Sequence, residues 1–266
     1  KIGASVTQYL VQPKCVEQEK AASKFKGDLL AQMRRNLQLP VIYTGFEDFV
    51  QMSSGVVRSL LVTLKKIYDE ALYSSERLFE GRPVSGGAQS RGVAGASEWF
   101  FEDVLIYGEE GLRIRAAIER LGRLFRSLRF SEKPSECSLN SFSIDPNSLS
   151  PDSLRLIELA VRWSVFIPQK DRLDRNSNMP HRLFRLSGML CPKFELPLSS
   201  RGNIALSGQE IEALFSTDSN GSKSEAEKKF VKVIDERLSR CTPPFGLLPQ
   251  STQTDETERD DQPELF

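Results

Sequence analysis

Two long stretches with helical periodicity constrain the fold of this chain more than any other feature of its sequence. Apolar side chains recur at intervals of three and four in residues 55–78 and again in residues 110–129. In the first stretch they are Val57, Leu60, Leu61, Leu64, Ile67, Tyr68, Ala71 and Leu72. In the second they are Leu112, Ile114, Ala117, Ile118, Leu121, Leu124, Phe125 and Leu128. Helices with such faces bury them against other elements, so we expect a mainly α-helical chain.

Shorter elements are predicted around these two helices. The Gly- and Ser-rich stretch 81–96 contains little that could be buried and is expected to form a loop. Thr44 is the expected N-cap of a short helix that turns Phe46, Phe49 and Val50 inward. The other predicted helices cover residues 20–37, 45–53, 97–107, 151–163, 208–215 and 223–240. Strands are predicted over residues 165–170, 181–187 and 203–207, with a short alternating segment at 139–144.

The composition excludes several classes of protein. The 266 residues include 36 basic and 36 acidic side chains, so any nucleic acid or acidic membrane would need a local basic patch. Four scattered cysteines and one histidine do not form a zinc motif or a disulfide scaffold, and reduced thiols are expected. The sequence has neither an apolar run of membrane-spanning length nor a signal peptide at its start. We therefore expect a cytoplasmic protein with no metal-ligating residues of its own and no membrane contact.

Common catalytic motifs are missing from the sequence. It contains no GxxxxGK[ST] loop, no GxSxG and no HExxH. His181 lies beside two arginines, which make it a poorer base. Acidic residues occur in adjacent pairs such as Glu102 and Asp103, whose side chains diverge on a helix. No catalytic residue is therefore predicted, although an unrecognised enzyme built from these carboxylates and His181 remains an alternative.

The segment SSGVVRSLL, residues 53–61, favours a specific chemistry. Gly55 stands at the start of the long helix, and Arg58 follows three residues later with an aliphatic stripe behind it. A guanidinium in that position points outward and could reach a phosphate held on a neighbouring domain. From the local pattern alone, a surface arginine on an amphipathic helix is the favoured explanation of the segment.

The longer segment YTGFEDFVQMSSGVVRSLL resembles the lid of AAA+ ATPases of the origin-recognition (ORC-like) family, including its bacterial members. In that family a Ser-Gly-x-x-Arg-x-Leu turn leads into a lid helix, and its arginine, the second sensor, contacts the γ-phosphate. The matching residues are Gly55, Arg58 and Leu60, whereas Val56 replaces a usually acidic residue. The resemblance implies that Gly55 and Arg58 belong to a site for ATP and Mg. It also implies that a P-loop domain, upstream or on a partner chain, holds most of that nucleotide.

The later part of the chain resembles the winged helix that follows the lid in that family. The helix 151–163 precedes a hairpin, 165–187, with a long polar tip, and RLFRLSGMLCPKFELPLSSRG is similar to a closing segment. The basic residues of this wing are the predicted nucleic-acid contacts: Lys170, Arg172, Arg175, Arg182, Arg185 and Arg201. Asp171 and Asp174 dilute the patch, so a solvated hairpin or a protein-binding face remains an equal alternative.

These observations predict a mainly α fold in which a helical lid bundle is followed by a small winged-helix-like α+β unit and a disordered tail. The expected divisions are a segment joining a missing upstream domain (1–39), the lid-like bundle (40–130), the winged-helix-like domain (131–215) and a helix with an acidic tail (216–266). Because Lys1 is not methionine, we expect a processed, truncated or fragmentary chain.

The predicted function is that of the regulatory, C-terminal part of an ORC-like ATPase. It would sense ATP bound elsewhere and couple that state to DNA or to other protein subunits, without hydrolysing ATP by itself. The alternative is a helical adaptor with no nucleotide link. Its support is the arginine-rich face of the helix 110–129, formed by Arg113, Arg115, Arg120, Arg123, Arg126 and Arg129.

Overall fold

The computed structural model describes residues 32–37, 39, 41–78, 80–130, 138–170, 172–173, 180–199 and 202–217, together with Lys228 and Lys232. Helices within these residues include α1 (Phe46–Ser53), α2 (Val57–Tyr73), α3 (Gly86–Asp103), α4 (Gly108–Arg129), α5 (Pro151–Arg162) and α6 (Gly208–Phe215). The strands are β1 (Ser141–Ile144), β2 (Phe166–Pro168), β3 (Arg172–Leu173), β4 (Pro180–Leu186) and β5 (Ile204–Leu206). Short 3₁₀ turns cover Val104–Tyr107, Pro146–Ser148 and Gly188–Leu190.

The predicted fold class is confirmed: helices dominate, and a small α+β unit follows the helical bundle. The predicted helix 20–37 is described only over its last residues, which are helical at 32–36. The predicted helix 223–240 and the disordered tail lie outside the described residues, apart from two lysines that are helical.

The stretch predicted as a loop, 81–96, mostly belongs to α3. Ser85 caps this helix by accepting a hydrogen bond from the Ala88 amide. The small residues are needed because α3 lies almost backbone to backbone against α2: a Cβ atom at Gly92 would lie 2.5 Å from the Ile67 Cα. The loop prediction was wrong because it treated small residues as unpacked, whereas here they allow two helices to approach closely.

The buried faces of the first two helices also differ from the prediction. Phe49 is buried in α1 as expected, but Phe46 and Val50 are 61% and 44% exposed. The N-cap of α1 is Gly45 rather than Thr44. In α2 the buried residues follow a strict spacing of four: Ser59, Thr63, Ile67 and Ala71. This face packs against α3 at Ile67 and against Met189 at Thr63, and half of the predicted apolar stripe is exposed.

The sheet is mixed and small. Its strand order is β2-β4-β1-β5, with β3 paired to the start of β4. The strands β2 and β4 form the predicted antiparallel hairpin, β1 lies antiparallel to β4, and β5 runs parallel to β1. The helix α5 begins at the predicted Ser-Pro-Asp start, where the Ser150 hydroxyl accepts from the Ser153 amide and Pro151 is the first helical residue.

The arginine-rich face of α4 is used inside the molecule. Arg120 donates to the carbonyls of Ala213, Leu214 and Ser216 at 2.6–2.9 Å and so caps the end of α6. Arg129 is 3% exposed and donates to the Glu195 and Leu39 carbonyls. The rest of this face consists of ion pairs: Arg113–Asp152, Arg115–Glu102, Arg123–Glu119 and Arg126–Glu195.

One hydrophobic core joins the helices to the sheet. Phe142, Phe166 and Phe215 are fully buried and meet edge to face, with ring centroids 5.0 Å and 6.4 Å apart. Over the described ranges, no helix is long and apolar enough to cross a membrane.

The close contact between α2 and α3 gives a test with an internal control. Gly92→Ala is expected to destabilise the protein by about 2 kcal/mol, because its Cβ would overlap the Ile67 backbone and force the helices apart. Gly95→Ala, on the same helix, should be neutral or stabilising by up to ~1 kcal/mol, because its Cβ would only approach Lys66 Cδ at 3.9 Å. Urea denaturation followed by circular dichroism measures both values. Equal stabilities of the two variants would contradict the packing described here.

Candidate functional site

The site is built on the turn between α1 and α2. Two successive residues with left-handed backbone, Ser54 (φ 52°) and Gly55 (φ 84°), reverse the chain after α1. A side chain at position 55 would be strained at that φ, which explains why the SSGVVRSLL segment has glycine there. The chain re-enters a helix at Val57, so that Arg58 is the second residue of α2.

This turn is fixed to the end of β4. The Ser54 hydroxyl accepts hydrogen bonds from the Gly188 amide at 3.2 Å and from Arg185 Nη2 at 3.3 Å. A Cβ atom at position 188 would lie 2.6 Å from the Met52 carbonyl oxygen, so only glycine allows this approach. Any displacement of the turn must therefore move the end of β4 as well.

Arg58 projects from the turn with 68% of its side chain exposed. Its guanidinium carbon lies 5.3 Å from the centroid of the Trp99 ring, and its Nη2 is 3.7 Å from Asp103 Oδ2. Trp99 and Asp103 both belong to α3, which is held against α2 by the Gly92 contact. The stacking orients Arg58, while the long, exposed ion pair leaves most of its donors open to another partner.

A pocket of about 180 Å³ lies beside this arginine, between the helical part and the end of α5. Its lining includes Arg58, Trp99, Asp103, Tyr107, Arg162 and Trp163. Tyr107 and Trp163 stack almost parallel, with ring centroids 3.9 Å apart. The chain has two tryptophans in total, and both line this pocket.

The lining suits an anion better than a metal ion. The lining contains two guanidiniums, of Arg58 and Arg162, and one carboxylate, of Asp103, and guanidinium is well matched to phosphate oxygens. Within the described residues there is no group of three or more His, Cys, Asp or Glu that could hold a metal. The geometry thus fits a phosphoryl group, and an accompanying Mg²⁺ would need ligands from elsewhere.

The predicted nucleic-acid contacts differ in position and in how far their side chains are exposed. Lys170 and Arg182 are exposed on the hairpin β2–β4. Arg185 is half-buried on β4: its Nη2 bonds Ser54, and its Nε is buried without a hydrogen-bond partner among the described residues. Arg172 lies on β3. Arg175 and Arg201 lie outside the described residues.

Two further buried polar groups, outside the pocket lining, serve the fold. The Tyr43 hydroxyl donates to the Leu196 carbonyl at 2.7 Å, and burial raises its pKa, so it stays protonated. Burial likewise raises the pKa of the Cys191 thiol to about 12. A thiol in that state is a poor nucleophile.

The sequence motif singled out Arg58 and Gly55 as candidates but gave no indication of Trp99, Asp103, Tyr107, Arg162 and Trp163, which line the pocket with Arg58. These residues come from α3, the following 3₁₀ turn and the end of α5, which are distant in sequence. The rarity of tryptophan in the chain was an available signal, because large aromatic side chains often line binding sites.

The match to a family covers most of the chain. The ORC-CDC6-like family model matches residues 5–206, which includes the α1–α2 turn and the whole pocket. The chain belongs to the ORC-CDC6-like family. This confirms the predicted relationship to ORC-like proteins. No curated protein and no solved structure matches the chain.

The contact between Gly188 and Met52 in this ORC-CDC6-like chain can be tested directly. Gly188→Ala is expected to lower the free energy of unfolding by about 2–3 kcal/mol, because its Cβ would overlap backbone atoms of Met52. It should also change the tryptophan emission, since the α1–α2 turn bordering the pocket must shift. Gly86→Ala is the control, because a Cβ there meets nothing within 4 Å. Parent-like stability and emission of Gly188→Ala would show that the turn is not fixed in this way.

Proposed function

We propose that this chain is a nucleotide-responsive regulatory region of an ORC-CDC6-like AAA+ ATPase. In this proposal Arg58 contacts the terminal phosphate of ATP. The nucleotide and its Mg²⁺ are held mainly by a P-loop domain that lies upstream or on a partner chain, since this sequence has no GxxxxGK[ST] loop. The observation that supports it most is the exposed Arg58 guanidinium, oriented by Trp99 and held only by a 3.7 Å ion pair.

The response to nucleotide would pass through the turn that positions Arg58. Ser54 joins this turn to Arg185 and Gly188. A displacement of Arg58 would therefore be transmitted to β4 through hydrogen bonds and a close backbone contact. Two-state movement of such a packed junction is a common way to transmit a local change. The proposal is therefore that phosphate binding alters the placement of the β2–β4 hairpin.

The output surface would be that hairpin, in the manner of a winged helix. The order β2-β4-β1, with α5 preceding the hairpin, supports this comparison. Exposed Lys170 and Arg182 favour a contact with a nucleic-acid backbone. The first half of α5 is joined to α4 by the ion pairs Arg113–Asp152 and Arg155–Glu110. Its positive charge is therefore neutralised within the chain, and it is a weaker candidate than the hairpin for contact with a nucleic-acid backbone. DNA or a protein subunit remains the proposed partner.

The adaptor alternative has less support than the sequence suggested. It relied on the arginine-rich face of α4, and these arginines bond carbonyls and carboxylates of the same chain.

The decisive variant is Arg58→Ala in the protein that contains the P-loop domain. We expect ATP turnover to fall roughly 10- to 100-fold, because a charge-assisted contact to phosphate contributes about 1.5–3 kcal/mol. Steady-state phosphate release measures this effect. The isolated 266-residue chain should show no ATP hydrolysis of its own.

Arg123→Ala is a matched control, because Arg123 is exposed to nearly the same extent (69%) and also has one acidic partner. If Arg58→Ala matched this control in turnover and in DNA or protein affinity, the adaptor interpretation would replace the proposed function. Hydrolysis by the isolated chain would likewise contradict it.

A further inference from the structure

A second arginine lines the pocket. Arg162 is the last residue of α5, and it lines the same 180 Å³ space as Arg58. The two arginines come from different helices and are separated by more than a hundred residues in sequence. Arg162 is exposed and has no hydrogen bond or ion pair with any residue that the structure describes.

The charges of the pocket are unbalanced. Asp103 is the one carboxylate of the lining, and it lies 3.7 Å from Arg58. Among the described residues Arg162 forms no ion pair, unlike Arg155, which lies two turns earlier on the same helix and pairs with Glu110 and Asp152. Two guanidiniums that line one pocket favour an anion that both can bond.

Aromatic side chains form part of the pocket wall. Trp99 stacks under Arg58, and Tyr107 stacks on Trp163, which follows the end of α5. Packed aromatic rings are preorganised, so they add little ordering cost when a ligand binds. Both arginines line the same pocket as these rings.

We propose that Arg162 is a second phosphate-binding residue of the Arg58 pocket, so that one phosphoryl group is held jointly by α2 and the end of α5. This inference rests on the proposed function insofar as Arg58 is a phosphate ligand, and it adds the residue that brings the sheet unit to the phosphate. A phosphoryl group in this position ties the start of α2 to the helix that precedes the hairpin.

The tryptophans give a direct readout in the 266-residue chain. Inorganic pyrophosphate is titrated at constant ionic strength, with KCl as the non-specific control, and tryptophan emission is recorded. Because Trp99 and Trp163 both line the pocket and are the two tryptophans of the chain, a saturable change is expected. Arg162→Ala is expected to weaken the apparent affinity about 10-fold, and Arg162→Lys should restore part of it because the charge is kept.

The controls separate this inference from the proposed function. Arg123→Ala should bind pyrophosphate like the parent chain. The apparent affinity for pyrophosphate is compared between variants, and not the size of the emission change. Arg162 is next to Trp163, so its removal alters the tryptophan emission of the unbound chain. If Arg58→Ala weakens binding and Arg162→Ala does not, the inference fails while the role of Arg58 stands. If pyrophosphate changes the tryptophan emission no more than KCl does, this chain has no phosphate site at the pocket and the inference is wrong.

The source of the phosphoryl group is distinguished by the choice of probe. MgATP and oligothymidylate are compared with pyrophosphate in the same titration. Competition by MgATP that is lost in Arg162→Ala assigns the pocket to a nucleotide phosphate. Competition by oligothymidylate alone assigns it to a nucleic-acid phosphodiester, with Arg162 retained as its ligand. If neither probe competes, the site is specific for free phosphate anions and plays no part in nucleotide response, which contradicts the joint role of the two arginines.

Discussion

The contact between the α1–α2 turn and the end of β4 is the constraint on which the site depends. Gly188 lies so close to Met52 that no side chain fits between them, and Ser54 accepts hydrogen bonds from both the Gly188 amide and Arg185. Close backbone contacts of this kind are rigid, because nothing flexible lies between the two segments. The direction of Arg58 is therefore set by the sheet as much as by its own helix.

The distribution of arginines explains how a chain with no net charge can contain a cationic pocket. Most arginines of α4 are neutralised by carboxylates or bonded to backbone carbonyls such as those at the end of α6. Their contribution is to packing and to the satisfaction of buried carbonyl groups. Arg58 and Arg162 differ because their surroundings provide a weak partner or none within the described residues. The local field of the pocket arises from this difference in pairing and not from composition.

Elements with strong local signals were predicted closely. The helix expected at 151–163 is Pro151–Arg162, because a serine cap and a first-turn proline define its start in any context. The helix expected at 208–215 is Gly208–Phe215, with a capping box between Ser207 and Glu210. The hairpin was predicted for a similar reason, since alternation and a polar tip specify two strands that can pair with each other.

The sequence by itself determined the helical class, the hairpin and the Ser-Gly-x-x-Arg turn, because capping, periodicity and positive φ are properties of a few adjacent residues. Only the tertiary structure decided that residues 86–103 form a helix, since Gly92 is favourable there solely because Ile67 lies against it. It also decided which face of α2 is buried, because Ile67 lies against Gly92 of α3 and Thr63 bonds Met189 in the 3₁₀ turn after β4. The pocket itself joins Arg58, Trp99 and Arg162 from three separate helices, and packing between elements rather than any local pattern brings them together.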